Sequence, residues 1–277
     1  MNPHASAPTS AVALGASLWR HRQLLSELTR REVLGRYKGS VMGLLWSFLH
    51  PLLMLTVYTF VFSVVFKVRW NPTAAEPESR GMFAVLLFTG LIMHGLVAEV
   101  LTRAPNLMVG HANYVKKVVF PLELLPAVTL GSALFHTLAS LIVLLMAVAV
   151  FGQLHLTVLF VPLVMLPLVL FTLGAALALA SLGVFLRDVG QTIIIFVTLL
   201  LFLSPVFFPV EALPPRLQPF MLLNPLSFII EQTRDVVVWG RWPNLPMLAI
   251  YTAAATCVTW AGFAWFQKTR KGFADVL

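Results

Sequence analysis

The chain has 277 residues, 59% hydrophobic and only 11% charged, with a mean hydropathy of +0.88. Water-soluble domains lie nearer about 45–50% apolar and about 25% charged, so a cytosolic globular protein is excluded: a fold of this size lacks the interior to hide so many large apolar side chains. Nineteen Lys and Arg against eleven Asp and Glu give a net charge of +8, but most of the basic residues lie in short segments between apolar runs, which points to membrane topology and not to a nucleic-acid partner.

The chain opens with MNPHASAPTSAVALGAS, which lacks a basic start followed by a compact apolar core. No cleavable signal peptide is expected, and residues 1–13 read as a flexible N-terminus. Residues 14–38 follow as an amphipathic helix. At 100° per residue Leu14, Leu18, Leu24, Leu25 and Leu28 share one face, with Arg20, Glu27, Arg30 and Arg31 opposite. Two readings are open: a helix lying in the membrane interface, or a cytosolic helix packed on its own protein.

Residues 39–277 form the membrane domain. A spanning helix takes about 20 mostly apolar residues, and six windows qualify: 41–66, 82–101, 122–151, 156–186, 191–208 and 245–266. Pro126, Pro162 and Pro167 are expected to bend the third and fourth, since each removes a backbone donor. Ser204-Pro205 interrupts the fifth. With the N-terminus inside, the cytoplasmic segments carry 13 basic residues and the opposite side 6: Lys67, Arg69, Arg80, Arg216, Arg234 and Arg241. That imbalance places both termini in the cytoplasm.

Between the second and third spans, TRAPNLMVGHANYVKKVVFP is longer than a connector needs. It reads either as a docking element or as a basic flank that fixes topology. The outer segment PVEALPPRLQPFMLLNPLSFIIEQTRDVVVWGRWPN is too apolar for a hydrated loop. Its apolar pieces, 217–223 and 226–230, are too short to span and are broken by Pro219 and Pro225. Re-entrant or interfacial helices fit, provided protein or a wet cavity satisfies the freed backbone groups.

No Walker loop, H-E-x-x-H or G-x-S-x-G is present, so no nucleotide site or hydrolase centre is expected in this chain. The single Cys257 excludes an intrachain disulfide and a multi-cysteine metal site, and no bound metal is expected. Ionisable residues within the spans are few, among them His50, His94, Glu99 and His136. His94 and Glu99, five apart, align poorly on one face. Glu99 is placed to pair with Arg103 at i+4, and His136 to hydrogen-bond between helices. A proton relay is the competing reading. Aromatics crowd the first and fifth spans, where packing or lipid contact competes with sugar stacking.

The stretch LTRREVLGRYKGSVMGLLWSFLHPLLMLTVYTFVF, with its R-Y-K-x-S-x-x-G-x-x-W-x-x-x-x-P frame, resembles the opening of type-2 ABC exporter permeases of the polysaccharide, O-antigen and teichoic acid branch. NYVKKVVFPLELLP, FLRDVGQ, SPVFFPVEALP and LNPLSFIIEQTRDVV continue the resemblance from about residue 18 to the C-terminus. It implies an all-α membrane protein with six spans, an N-terminal interface helix and re-entrant helices between spans five and six. The expected role is a transport subunit and not an enzyme, in the bacterial inner membrane. It would work as a homodimer with two separate ATPase subunits that use ATP and Mg, moving a lipid-linked glycan.

Residue by residue, the resemblance puts ATPase coupling at about 106–117, with Asn106, His111, Tyr114, Lys116 and Lys117. It makes Trp46, Tyr58, Phe62, Phe202 and Phe207 candidates for a channel lining. The re-entrant segment makes Pro209, Asn224, Pro225, Glu231 and Arg234 candidates for a gate. Arg30, Arg31, Arg36 and Lys38 stand at the expected cytoplasmic mouth, where Arg forks suit a lipid diphosphate; positive-inside anchoring explains them equally. Permeases for drugs or other small amphiphiles share the broader architecture, and an ATPase-independent channel or an intramembrane enzyme are the remaining alternatives.

Overall fold

A computed structural model describes residues 9–61, 70, 80–116, 120–221 and 223–277. Residues 1–8, Phe62, Lys67, Arg69 and Lys117 lie outside the described residues. Every regular element among those described is helical, as lipid requires, because a helix satisfies its backbone N–H and C=O groups internally.

The amphipathic segment forms two helices, α1 (Ala11–Arg20) and α2 (Arg22–Arg36). Ser10 caps the first by accepting the Ala13 amide at 3.2 Å. The single helix expected over 14–38 breaks at His21, whose ring nitrogen Nδ1 lies 2.9 Å from the Ser17 carbonyl and occupies the C-terminus of α1. Leu14 is buried, and Leu18, Leu24, Leu25 and Leu28 pack against the core. The apolar face is thus covered by the protein itself, while Trp19 stays exposed.

Five helical stretches among the described residues are long and apolar enough to cross a membrane: Gly43–Val61, Gly81–Gly110, Leu124–Phe151, Leu156–Phe185 and Leu245–Val276. Their main helices are α3 (Trp46–Tyr58), α4 (Arg80–Arg103), α7 (Leu124–Phe151), α8 (Val161–Phe185) and α12 (Leu245–Thr269). The short α5 (Leu107–Gly110) and α6 (Ala112–Lys116) lie between α4 and α7. The window at 191–208 contributes only α9 (Val189–Leu203). Its 15 residues reach about 22 Å at about 1.5 Å per residue, short of a hydrocarbon core of about 30 Å. Ser204, in an extended conformation before Pro205, ends it.

Two of the three prolines expected to bend helices stand at helix starts instead. Pro126 and Pro162 occupy the first turns of α7 and α8, where an N–H has no intrahelical acceptor and proline costs little. Pro167 in α8 and Pro51 in α3 are the interior ones.

Helix α4 is the most enclosed span and α3 the least. The longest contact joins α8 to α12, and glycine allows it. A Cβ on Gly174 would stand 2.5 Å from Thr259 Cα, and one on Gly262 2.1 Å from the Gly174 carbonyl oxygen. The Thr259 hydroxyl donates to Leu170 O at 2.7 Å, and the Ser181 and Thr269 hydroxyls meet at 2.7 Å. Both sequence numbers rise together along this seam, so α8 and α12 run parallel. Small residues supply such close packing where lipid removes any hydrophobic drive between helices. Gly262→Val is expected to cost at least about 3 kcal/mol, the upper end for overpacking. A reduced melting temperature and monodisperse fraction in detergent would register it.

The end of the bundle that carries α1 and the C-terminus is tied by Glu123, which is buried at the head of α7. It accepts from the Ser17 hydroxyl of α1 at 2.8 Å and from Arg270 Nη1 at 3.3 Å, while Arg270 Nη2 donates to Phe120 O at 3.1 Å. The tail helix α13 (Phe273–Val276) tucks Phe273 against Phe185 and Phe266 at this same end.

Candidate functional site

The turn after α2 decides where the basic residues point. Gly39 and Gly43 have φ of +87° and +53°, a region that side chains with a Cβ rarely adopt. Gly43 is the glycine of the R-Y-K-x-S-x-x-G frame, so the motif has a backbone cause. The turn folds the chain from α2 into α3 and leaves Arg36 and Tyr37 at the mouth of a cavity.

That cavity has a volume of about 700 Å³ and lies among α3, α4 and α7. Its apolar wall includes Trp46, Met54, Tyr58, Phe88 and Ile92; Ser47, His50, Thr137 and Ser140 add polar atoms. The volume falls within the range of small-molecule sites, about 300–1,000 Å³.

One wall is charged. Arg36 Nη1 donates to Glu99 Oε1 at 2.7 Å, and Arg103 Nη1 stands 3.6 Å from the same oxygen. His136 Nδ1 lies 3.1 and 3.2 Å from the two carboxylate oxygens and 2.8 Å from Arg36 Nη1. Arg103 also donates through Nη2 to Glu32 of α2. Glu99 therefore pairs with Arg103 as its i+4 spacing suggested. His136 makes the interhelical contact expected of it. His94 does not join them: its Nε2 lies 3.0 Å from the Val197 carbonyl and ties α4 to α9. Glu32 escaped the sequence reading, and Arg103 entered it only as the partner of Glu99. The signal was available, since a carboxylate one turn inside an apolar span requires cations nearby.

Arg30, Arg31 and Lys38 are exposed on α2 and the following turn, outside the cavity wall that Arg36 joins. Trp46 and Tyr58 line the cavity. Phe202 and Phe207 do not: they stack on each other near the end of α9, with centroids 5.7 Å apart.

At the opposite end, α10 (Gln218–Met221) precedes α11 (Pro225–Val237). Asn224 accepts the Leu226 amide at 2.9 Å and donates to Leu203 O at 3.1 Å and Ser204 Oγ at 2.9 Å. It thereby staples the end of α9 to the start of α11, whose first position Pro225 fills. Pro209 precedes a single 3-10 turn, Val210–Ala212.

Arg234 is 1% exposed. It donates through Nε and Nη2 to Leu86 O, both at 3.1 Å, through Nη2 to Val206 O at 3.2 Å and through Nη1 to Glu231 at 2.8 Å. Its guanidinium lies 4.2 Å from the Trp70 ring centroid. Burial draws its pKa down to about 10, opposed by Glu231, so it remains charged at neutral pH. Of the five gate candidates, Asn224, Pro225, Glu231 and Arg234 thus form one anchored unit, with Pro209 apart.

Comparison with known families shows that the model described as ABC-2 type transporter matches residues 23–238. The chain belongs to the ABC-2 type transporter family. Among its relatives is the O-antigen export system permease protein RfbA of Myxococcus xanthus, 28% identical over 269 residues, covering 95% of this chain and 99% of that one. RfbA of Klebsiella pneumoniae is 27% identical, with coverages of 92% and 95%. The polysialic acid transport protein KpsM of Escherichia coli is 25% identical, with coverages of 80% and 85%.

In this ABC-2 type transporter chain the described coupling candidates sit at the end that carries α1 and the C-terminus. Asn106, His111 and Lys116 are exposed and Tyr114 is half-buried. Tyr114 stacks on Phe120 at 4.7 Å and on His111 at 5.8 Å. The turn that begins the segment, Ala104–Asn106, packs against α8 so tightly that a Cβ on Gly183 would meet the Pro105 carbonyl oxygen at 2.0 Å. Among the described residues no cluster of three His, Cys, Asp or Glu is arranged to hold a metal ion.

Proposed function

We propose that this chain is the permease subunit of an ATP-driven exporter that moves a lipid-linked polysaccharide across the bacterial inner membrane, an O-antigen-type glycan on a polyprenyl diphosphate. The observation that carries the reading is similarity along nearly the whole length of permeases named for O-antigen export. The cavity agrees with it, because a glycan on a charged lipid cannot enter hydrocarbon bare. It needs cations at the head and a polar or aromatic wall beyond, and Arg36, Trp46 and Tyr58 combine the two.

Six crossings are supported by chain direction. Since α8 and α12 run parallel, the chain must return between them, and α9 with its continuation through Ser204-Pro205 supplies that path; the α10–α11 segment is then re-entrant. The distribution of basic residues, 13 against 6, supports cytoplasmic termini, with α1 and α2 packed on the bundle at that end. Homodimer formation is supported by apolar faces left open on the Gly43–Val61 stretch and on α9, including Leu52, Phe60, Ile195 and Phe202. Two copies enclose a path that one set of spans cannot.

With no Walker loop in the chain, ATP and Mg act on a partner ATPase, docked at the surface of Asn106, His111, Tyr114 and Lys116. Arg30, Arg31 and Lys38 gather the lipid diphosphate, and nucleotide-driven rearrangement draws the reducing end inward before the polymer moves outward.

Purification of the tagged chain from native membranes tests this. Two copies with two nucleotide-binding subunits, and ATPase activity stimulated by lipid-linked glycan, are expected; an assembly without an ATPase overturns the reading. Arg30→Gln with Arg31→Gln should lower export at least about tenfold with insertion intact, since a hydrogen bond to a charged group contributes about 1.5–3 kcal/mol. Unchanged export removes their role in capture.

A further inference from the structure

We propose that Glu99 is a built-in stand-in for a substrate phosphate: its carboxylate holds, between Arg36 and Arg103, the place that the diphosphate of the lipid carrier takes on entry. This inference rests on the reading of the substrate as a lipid diphosphate.

Three elements converge on one carboxylate at the cavity wall. Oε1 of Glu99 is approached by Arg36 Nη1 from the end of α2 at 2.7 Å, by His136 Nδ1 from α7 at 3.1 Å and by Arg103 Nη1 from α4 at 3.6 Å. An anionic oxygen surrounded from three sides is the arrangement a phosphate oxygen also demands, and Arg forks suit either anion. A helix staple would need only one such partner.

The surroundings allow exchange. Arg36 is 46% exposed and so reachable from outside, whereas Glu99 is 18% exposed. Arg103 keeps Glu32 as a second carboxylate, so it stays oriented when Glu99 withdraws. Once Arg36 withdraws from His136 Nδ1, that nitrogen is left within 3.2 Å of both Glu99 oxygens and can donate to the carboxylate. Neither charge is stranded by the swap, and stranding is what makes breaking a partly buried pair costly. The closed pairing holds the two arginines in phosphate-binding geometry before substrate arrives. On release, the carboxylate competes with the diphosphate for them and returns the site to its resting state.

The test uses the permease–ATPase complex in lipid nanodiscs, with radiolabelled polyprenyl diphosphate as the probe and polyprenyl monophosphate and inorganic diphosphate as comparison arms. Removing the competing anion in Glu99→Gln should tighten polyprenyl diphosphate binding about tenfold, one charge-assisted interaction's worth, and slow export by retaining the head. A staple role predicts equal or weaker binding, and that result overturns the inference.

Arg103→Gln leaves Glu99 with Arg36 and His136, and keeps the inference testable should Glu99→Gln fail to assemble. It should weaken binding about tenfold; unchanged binding overturns the inference. Inorganic diphosphate binding as tightly as the lipid form would replace the lipid-head site by a free-phosphate one and overturns it too. A wild-type complex that binds no polyprenyl diphosphate overturns the substrate reading itself, whereas wild-type binding that Glu99→Gln leaves unchanged sinks only the role of Glu99.

Discussion

Replacing Arg234 by alanine is expected to cost about 3 kcal/mol, the low end for breaking a buried charged pair, because the Glu231 left behind is 34% exposed. This should be the largest loss of any single substitution outside the helix seams. The guanidinium joins three segments that are distant in sequence: α11 through Glu231, α4 through Leu86 O and the stretch after α9 through Val206 O. Truncation leaves two carbonyls short of a donor and Glu231 without its cation. Gly90 gives the side chain room, since a Cβ there would lie 3.2 Å from Nη2 and 3.1 Å from Val206 Cα.

Arg234→Lys should recover only a minority of the loss, because one ammonium cannot reproduce a fork that addresses Leu86, Val206 and Glu231 together. Thermal melting of the detergent-purified chain, with the monodisperse fraction as a second readout, checks both variants. An alanine variant as stable as wild type would show that the network is dispensable.

Gly183→Val is expected to abolish export while leaving the chain in the membrane. The added Cβ would overlap the Pro105 carbonyl, 2.0 Å away, and Pro105 is backbone that cannot rotate aside. The Ala104–Asn106 turn, and with it the proposed docking surface of His111, Tyr114 and Lys116, must shift away from α8. The predicted signature is a loss of at least about tenfold in glycan export, following from a packing penalty of about 1–3 kcal/mol or more, with ATPase activity that substrate no longer stimulates. Gly183→Ala should show the same defect, since the clash lies at Cβ. Normal coupling in either variant would mean that the turn can shift without consequence.

Composition alone determined that this chain lives in a membrane and that its spans are helices. A backbone in hydrocarbon has few ways to satisfy its polar groups, and runs of about 20 apolar residues leave little choice. The amphipathic face of Leu14, Leu18, Leu24, Leu25 and Leu28 was equally readable, because helical periodicity is local. So was the pairing of Glu99 with Arg103, which needs only i+4 spacing. The frame around Arg36, Tyr37 and Gly43 marked the opening of the family before its geometry was visible.

What lay beyond the sequence depends on which helix meets which. Helical periodicity puts Trp46 and Phe202 on equal terms as aromatics, yet one lines the cavity and the other stacks on Phe207 elsewhere. Pro126 and Pro162 looked like bends until the helix starts were placed, since the same missing N–H is costly mid-helix and harmless in a first turn. Glu123 and Arg270 are 147 residues apart, and Arg36 and His136 100 apart; no local pattern links such pairs. In a chain whose spans are nearly uniform in hydropathy, patterning marks each helix but barely orients it. Only tertiary packing selects the few polar side chains that meet, and the cavity wall of Arg36, Glu99, Arg103 and His136 is built from that selection.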